Sequence, residues 1–316
     1  MRGRIITSER VTWELPEPLE WELLRTGGVP CDSFTFTCAY TAEMAEAAHL
    51  AVSFLALEGE RLLLHGIVDE AVTEETAERG RTLTLTGRGY AARLLDNESR
   101  PLIYQDVTLR ELIRAHAEPY GIHCAACADI RAKGTYTVAA GSSQWKALED
   151  FCRAYGGFSP RFDRRGELLA VPETEDGGCL LLDDGTELLS LRRRENHYGV
   201  LSEVLVLDKR AGGGSCTVRN EDFLRRGGQR RRVVYPPGKS GWQAMRYTGE
   251  YQICRSREGE VEIEATLPGI REAEPGESVE LRRTGLGLSG RYRLAEVEQR
   301  GSARGTETVL RLRERM

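Results

Sequence analysis

Residues 83–122 constrain the fold most, because a strand pattern gives way there to a capped helix. The strand is predicted to end in a tight turn at Gly87-Arg88-Gly89, and a short apolar helix is expected over residues 91–95. Thr108 and Glu111 then form a capping-box pattern. In that pattern the threonine hydroxyl accepts the amide of the third helical residue, and the glutamate reaches back to the cap amide. The stretch therefore predicts a boundary between a β region and an α+β region.

Residues 1–88 have the pattern of β structure. Glu58-Gly59-Glu60 is a short hairpin signal, and Gly66 within a strand indicates a bulge or a close approach of backbone. Several short strands with regular turn signals predict a small barrel or sandwich. The strands are expected at residues 33–37, 52–57, 62–72 and 82–86.

Residues 89–190 predict a small α+β module. A second helix is expected after Ser142-Ser143, with a stop at Gly156-Gly157 and then a hairpin over residues 158–171. The apolar side chains at helical spacing are predicted to pack in a core rather than to bind a sugar. They are Trp145, Leu148, Phe151, Cys152 and Tyr155.

Residues 191–316 return to β structure, punctuated by Pro-Gly and Gly-rich turns. Strands are predicted at residues 200–207, 261–267, 278–282, 292–298 and 308–313. The segment 211–241 is rich in Gly, Arg and Pro and is predicted to be a long loop or arm. No repeat of 20–50 residues is visible, which excludes propellers, solenoids and β-helical spikes.

The length of 316 residues favours two or three domains. Mean hydropathy is -0.42, and no run approaches the ~18 apolar residues of a membrane-spanning helix. The N-terminus lacks the apolar region of a signal peptide. We therefore expect the chain to be made in the cytoplasm and to be exported only as part of an assembly.

Charge is distributed unevenly along the chain. Residues 1–190 carry 31 acidic and 19 basic side chains, whereas residues 191–316 carry 18 acidic and 25 basic ones. One dense basic cluster stands out, and no aromatic platform interleaves it as in single-strand nucleic-acid sites. A solvated or subunit-contacting loop is favoured over sequence-specific nucleic-acid binding. The cluster consists of Arg225, Arg226, Arg230, Arg231 and Arg232.

Cys124 and Cys127 form a CxxC motif preceded by His123. A structural zinc site needs four ligands, and no second CxxC is present. A redox CxxC is expected to follow a strand and open a helix, which this context does not offer. Structural thiols are favoured, with a metal or redox pair as alternatives.

Other motifs of catalysis and cofactor binding are weak. Residues 285–290 match the letters of a dinucleotide fingerprint, but a strand pattern follows them instead of a helix. Acids at Asp183-Asp184 and at Glu173, Glu175 and Asp176 lie in turn-like segments, which favours solvation over a glycosidase pair. His65 and His116 are predicted to be packed residues. We expect no enzyme, no cofactor and no metal.

The 83–122 stretch resembles the baseplate hub proteins of contractile phage tails and related injection systems, the phage late control gene D or tail hub superfamily. Four further segments resemble the same family in the same order. They are LHGIVDE (64–70), SSQWKALEDFCRAYGGFSPRFDRRGELL (142–169), LSLRRRENHYGVLSEVLVLD (189–208) and PGESVELRRTGLGLSGRYRLAEVEQRG (275–301).

The resemblance implies a mainly β chain in which two tube-like β-barrel domains, residues 1–88 and 191–316, flank the α+β insertion. It also implies a homotrimer that joins a hexameric tail tube to a trimeric spike, with other baseplate proteins as neighbours. The spike is then expected to be a separate protein. A tail-associated protein that binds or hydrolyses peptidoglycan is the alternative, and residues 100–190 would be its binding module.

Overall fold

The computed structural model describes residues 1–27, 31–132, 134–172, 179–208, 213–235, 242–257 and 259–314. The chain folds into two compact units. The first unit comprises Met1–Leu180, Thr266–Ser278 and Leu294–Leu310. The second comprises Leu181–Ala265, Val279–Arg293 and Arg311–Met316.

The described chain is mainly β. Its strands are β1 (Arg2–Thr7), β2 (Thr12–Glu14), β3 (Pro18–Thr26), β4 (Ser33–Ala39), β5 (Ala51–Glu58), β6 (Arg61–Thr76), β7 (Gly80–Gly89), β8 (Leu102–Gln105), β9 (Cys124–Cys127), β10 (Thr135–Val138), β11 (Arg161–Phe162), β12 (Leu168–Ala170), β13 (Cys179–Asp183), β14 (Ser190–Glu195), β15 (Glu203–Leu207), β16 (Ser215–Arg219), β17 (Arg231–Val234), β18 (Val261–Pro268), β19 (Ser278–Arg283), β20 (Leu288–Ser302) and β21 (Gly305–Glu314). Its α-helices are α1 (Ala45–His49), α2 (Ala92–Leu95), α3 (Leu109–His116), α4 (Gln144–Phe151), α5 (Glu221–Arg225) and α6 (Trp242–Arg257).

An antiparallel sheet in the order β20-β3-β4-β7-β6-β5-β1-β2 forms much of the first unit. Alternate side chains of its strands face a core in which Phe34 and Phe54 stack with their ring centroids 4.4 Å apart. Phe36 is fully buried beside them. All four strands predicted in residues 1–88 are present. The last third of the chain joins this sheet, because residues 296–301 of β20 pair with β3.

The predicted turn at Gly87-Arg88-Gly89 is wrong, because these residues continue strand β7. A Cβ at Gly87 would lie 2.0 Å from the carbonyl oxygen of Ile67 and 2.6 Å from the ring of Phe34. Glycine is therefore needed at this position for close packing between strands, not for a turn. The close approach of backbone predicted at Gly66 is confirmed, because a Cβ at this position would lie 2.7 Å from the Arg88 carbonyl oxygen.

The α+β module in residues 89–172 contains both predicted helices. Thr108 caps α3: its hydroxyl accepts the Glu111 amide at 3.3 Å, and the Glu111 carboxylate accepts the Thr108 amide at 2.8 Å. Ser143 caps α4, whose end passes through a π-helical turn to Gly157 at φ 72°. The α4 side chains pack in the predicted core, except that Tyr155 is 37% exposed.

The second unit contains a three-stranded sheet in the order β16-β15-β17, covered on one face by α6. The prediction of a long loop over residues 211–241 is wrong for most of its length, because β16, α5 and β17 lie within it. Residues 211–212 and 236–241 of that segment lie outside the described residues. Backbone pairing in β16 and β17 satisfies the polar groups that a loop would leave to water.

Helix α6 was not predicted from the sequence. Its β-branched and aromatic content is high for a helix, and Gly249 lies in its middle. A Cβ at Gly249 would lie 2.5 Å from Val218, so the glycine allows the helix to approach the sheet closely. Among the described residues, no helix is both long and apolar enough to cross a membrane. The two barrels and the domain boundaries at residues 88 and 190 stay predictions.

Candidate assembly surfaces

The five clustered arginines are exposed on the second unit, at the end of α5 and on or next to β17. Arg225 pairs with Asp222, and Arg226 pairs with the buried Glu260. These contacts hold the guanidinium groups in place, with 76% of the Arg225 side chain and 42% of the Arg226 side chain still exposed.

The remaining three arginines also have partners within the unit. Arg230 lies over the ring of Tyr198, with its guanidinium carbon 4.9 Å from the ring centroid. Arg231 pairs with Glu203, and Arg232 donates to the side-chain oxygen of Gln252 at 2.9 Å. The structure therefore brings Arg230–232 together along one edge of the three-stranded sheet, where β17 is the terminal strand.

Large apolar side chains lie exposed in the same unit. Tyr198 is 82% exposed, and the other exposed side chains are Val233, Tyr235, Trp242, Tyr247 and Tyr251. Tyr and Trp beside Arg are the residues enriched in the centres of protein interfaces. Strand alternation places Arg231 and Val233 on the face of β17 opposite α6, whereas Trp242, Tyr247 and Tyr251 belong to α6 itself. Each of the two faces thus carries residue types that protein-binding surfaces favour.

An open strand edge lies in the first unit, on the β6–β7 hairpin. Strand β5 pairs with β6 only as far as Ile67, whereas β7 pairs with β6 as far as Thr76. Beyond Ile67 the outer edge of β6 therefore has no partner strand among the described residues. This edge is acidic, with Asp69, Glu70, Glu74 and Glu75 in sequence. Charged edges of this kind resist random aggregation yet can accept a specific partner.

An ionic network around the buried Arg25 ties four distant segments of the first unit together. Arg25 on β3 is only 7% exposed and binds Glu274 through two contacts, one of them 3.3 Å. Glu274 also binds Arg164, from the turn after β11. Arg164 and Arg61 in turn approach Glu272 at 3.9 and 3.4 Å. The network links the strand at the start of the chain to the segment after β18.

A cleft of about 300 Å³ opens beside this network, within the first unit. Burial lowers the pKa of Arg25 and raises the pKa of Glu277. Burial also raises the pKa of Asp32 to about 6, although its carboxylate accepts the Thr26 amide at 2.9 Å. Among the carboxyl groups that line the cleft, Asp32 therefore changes its charge in the mildly acidic range.

The histidines singled out in the sequence hold structural contacts. His116 is 2% exposed; its Nδ1 donates to Gln144 at 2.6 Å, and its Nε2 accepts from the Tyr104 hydroxyl at 3.0 Å. His65 hydrogen-bonds the Tyr90 hydroxyl at 3.0 Å. Burial lowers the pKa of both histidines. Their rings are held between neighbouring elements.

The other chemical motifs are placed as follows. After Gly287 the chain enters strand β20, so no helix N-terminus follows the glycine-rich letters. Asp183 and Asp184 stabilise a turn and its neighbour Thr284. The acids Glu173, Glu175 and Asp176 lie outside the described residues. In the part of the chain that the structure describes, no three His, Cys, Asp or Glu side chains are placed to hold a metal.

Sequence reasoning missed the buried Arg25, although a signal for it exists. Trp21, Leu23 and Arg25 alternate along β3, and the first two are 5% and 1% exposed. A charged residue on the buried face of a strand predicts a buried partner. The partner is Glu274, far away in sequence, and no local pattern identifies it.

Neither protein-family models nor curated proteins match the sequence. Solved structures do match the fold. The tail protein from Neisseria meningitidis MC58 matches with a TM-score of 0.81 at 17% identity, over 99% of this chain and 96% of that one. The 43 kDa tail protein of prophage MuSo2 from Shewanella oneidensis matches with a TM-score of 0.80 at 16% identity, over 99% and 98%.

A third match is the Escherichia coli protein c3393. It is described as a component of the type VI secretion system with structural similarity to the T4 bacteriophage tail proteins gp27 and gp5. It matches with a TM-score of 0.56 at 11% identity, over 95% of this chain and 74% of that one. These likenesses establish that the chain has the fold of phage tail proteins.

Proposed function

We propose that the chain is a structural subunit of a contractile tail or related injection system, and that it acts there as the baseplate hub. The supporting observation is the shared fold over nearly the whole length of two phage tail proteins. A fold alone does not determine function. The likeness to the secretion-system component adds support for a hub position, because that protein is itself compared with tail proteins of a contractile phage.

In the proposed assembly three copies form a closed ring between a hexameric tail tube and a trimeric spike. Two tube-like domains in each subunit would present six similar surfaces to the tube. The other face of the ring would receive the spike, with other baseplate proteins around it. Assembly would take place in the bacterial cytoplasm, and the finished ring would be part of the tail. The role is structural and not catalytic.

Closed rings use head-to-tail contacts in which two different surfaces of each subunit meet. Arg230, Arg231 and Arg232, on and beside the edge strand β17 of the second unit, are the proposed donor surface. The acidic open edge of the β6–β7 hairpin on the neighbouring copy is the proposed acceptor. Its carboxylates suit arginine, which can bind them through two parallel hydrogen bonds. Opposite charge then selects the register and speeds encounter.

The test is the mass of the chain in solution with its spike protein present, measured by light scattering at low and high salt. We expect a complex that contains three copies of the chain, which contribute three times 35.3 kDa to the total mass after the mass of the spike is subtracted. Substituting Arg230, Arg231 and Arg232 by Ser should raise the dissociation constant by about tenfold or more at low salt, and high salt should do the same to the unchanged chain.

A matched control is the triple substitution of Arg192, Arg193 and Arg194 by Ser. It removes the same charge from another exposed run of arginines in the same unit, on β14. Far-UV circular dichroism checks that both variants fold. A trimer equally weakened by both variants would contradict the proposed arginine surface. A chain that stays monomeric with its spike would contradict the hub itself.

A further inference from the structure

Cys124 and Cys127 lie at the two ends of β9, which pairs in parallel with β12. Cys124 faces Leu168, Ala126 faces Leu169, and Cys127 faces Ala170, so Ala125 is an extra residue in the strand. In a regular strand, residues three apart point to opposite faces. The bulge at Ala125 removes that offset, and both cysteines therefore point to the same face.

The packing agrees with this geometry, because both side chains lie against the same apolar core. Their partners Leu168 and Ala170 are two residues apart in β12, which sets the Cα atoms of the cysteines about 6.6 Å apart. That separation lies at the upper end of the Cα–Cα range of disulfides, so closure requires the bulge to tighten and bring the two Cβ atoms together. The Cys124 thiol donates to the Ala126 carbonyl at 3.2 Å, and the Cys127 thiol donates to the Ala128 carbonyl at 3.4 Å.

The pair is open to small molecules. Both thiols are partly exposed and line a groove of about 360 Å³ together with Arg110 and His123. Cys152 lies nearby but is fully buried, so it is closed to a reagent from solution. The sequence offered a CxxC without the helix of a redox motif, and the bulge supplies the alignment instead.

We propose that Cys124 and Cys127 are a redox-responsive pair that closes to a disulfide when the protein leaves a reducing compartment. The proposal is independent of the hub function. One thiolate attacks a low-molecular-weight disulfide such as oxidised glutathione, forms a mixed disulfide and releases one glutathione thiolate. The second cysteine then attacks the protein-bound sulfur and releases the second glutathione. In balance, two cysteine thiols are oxidised and one glutathione disulfide is reduced to two thiols.

Two physical features shape the reaction. Burial raises the pKa of both thiols, whereas Arg110 opposes the shift. Attack therefore speeds up as pH rises and the thiolate fraction grows. The second step is intramolecular between aligned sulfurs, so ring closure is favoured over a lasting mixed disulfide. Closure would fix the bulge and hold β9 in register on β12.

The experiment incubates the full chain in glutathione buffers of graded ratio, blocks free thiols with iodoacetamide and maps tryptic peptides by mass spectrometry. Residues 115–131 form one tryptic peptide that contains both cysteines and no other. We expect it to lose two hydrogens and take up no iodoacetamide. The exposed Cys179 and Cys254 serve as internal controls, since each is expected to form only a mixed disulfide.

The Cys124–Cys127 disulfide should resist reduction. The ratio of reduced to oxidised glutathione that reduces it should be about tenfold or more above the ratio that removes glutathione from the two control cysteines. Cys127→Ser should leave a mixed disulfide at Cys124 that does not resolve. The proposal is overturned if the 115–131 peptide keeps two alkylated cysteines when the controls are modified. It is also overturned if a mixed disulfide accumulates there in the unchanged chain.

Discussion

Replacing Glu274 by Gln should destabilise the first unit, because Glu274 neutralises the buried Arg25. The substitution keeps the size of the side chain and removes its charge. Arg25 has 8% of its side chain exposed, and Glu274 is its direct ionic partner as well as that of Arg164. The change therefore removes the negative charge that pairs with the buried guanidinium of Arg25 and with the more exposed guanidinium of Arg164.

The expected cost follows from the burial of the pair. Removing one partner of a buried ion pair costs about 3–5 kcal/mol. The Glu274 side chain is 34% exposed, and the glutamine oxygen can still accept a hydrogen bond from Arg25. We therefore expect a loss of about 2–3 kcal/mol in the free energy of unfolding of the first unit, somewhat below the full range.

The matched control is Glu14→Gln. Glu14 also faces two arginines, Arg4 at 2.7 Å and Arg2 at 3.8 Å, but it is 47% exposed. Surface pairs contribute about 0–1 kcal/mol, so this variant should lose no more than that.

Urea unfolding followed by tryptophan fluorescence in a Trp242→Phe background measures both variants. The three remaining tryptophans then lie in the first unit. Equal losses in the two variants would refute the argument that burial makes the Arg25 pair important to the fold.

Three further predictions concern individual residues. Asp32→Asn should change the free energy of unfolding, relative to the unchanged chain, more favourably at pH 8 than at pH 4, by roughly 1–3 kcal/mol. Burial raises the Asp32 pKa from 3.8 to about 6, so the acid's stabilising contribution is complete below pH 4 and lost as pH rises through 6. Urea unfolding of both proteins at the two pH values checks this. A difference in unfolding free energy between variant and unchanged chain that does not depend on pH would contradict it. Thr108→Ala should lower stability by about 1 kcal/mol in thermal melts, because it removes the hydroxyl that accepts the Glu111 amide and donates to the Glu111 carboxylate. A loss no larger than for Glu111→Gln would count against this role of the hydroxyl. Gly87→Ala should cost more than about 2 kcal/mol in urea unfolding, because its Cβ would meet backbone, whereas Gly285→Ala points into open space and should change little.

Local signals made the α+β module predictable. The capping residues lie next to the helices that they begin: Thr108 and Glu111 at α3, and Ser143 at α4. Such signals depend on neighbours along the chain, so the sequence displays them directly. Alternation likewise revealed the strands of the first unit, because one face of each packs on an aromatic core.

Signals that depend on distant neighbours were ambiguous. Gly87 could serve a turn or a close approach, and only the position of the Ile67 carbonyl decides between them. Gly249 weakens the helix pattern of α6 in the sequence. Its role is a close contact with Val218, which lies far away along the chain. The open edge of β6 could not be predicted, because it depends on where β5 stops pairing.

The arginine cluster of the candidate assembly surface is visible in the sequence, and its residues are exposed. Composition could not show that β17 presents Arg231 and Val233 on one face, because the Gly, Arg and Pro content of the segment favours a loop. That face and the role of the arginines between subunits remain predictions of the hub proposal.

Electron cryo-microscopy of the tail tip that contains this protein tests the central claim most directly. The account predicts three copies of the chain in one ring between the end of the tube and the base of the spike. Arg230–232 of each copy should face the β6–β7 hairpin of the next. A ring of three with other surfaces in contact would contradict the proposed interface. Any other copy number, or a position away from the tube–spike junction, would contradict the hub function.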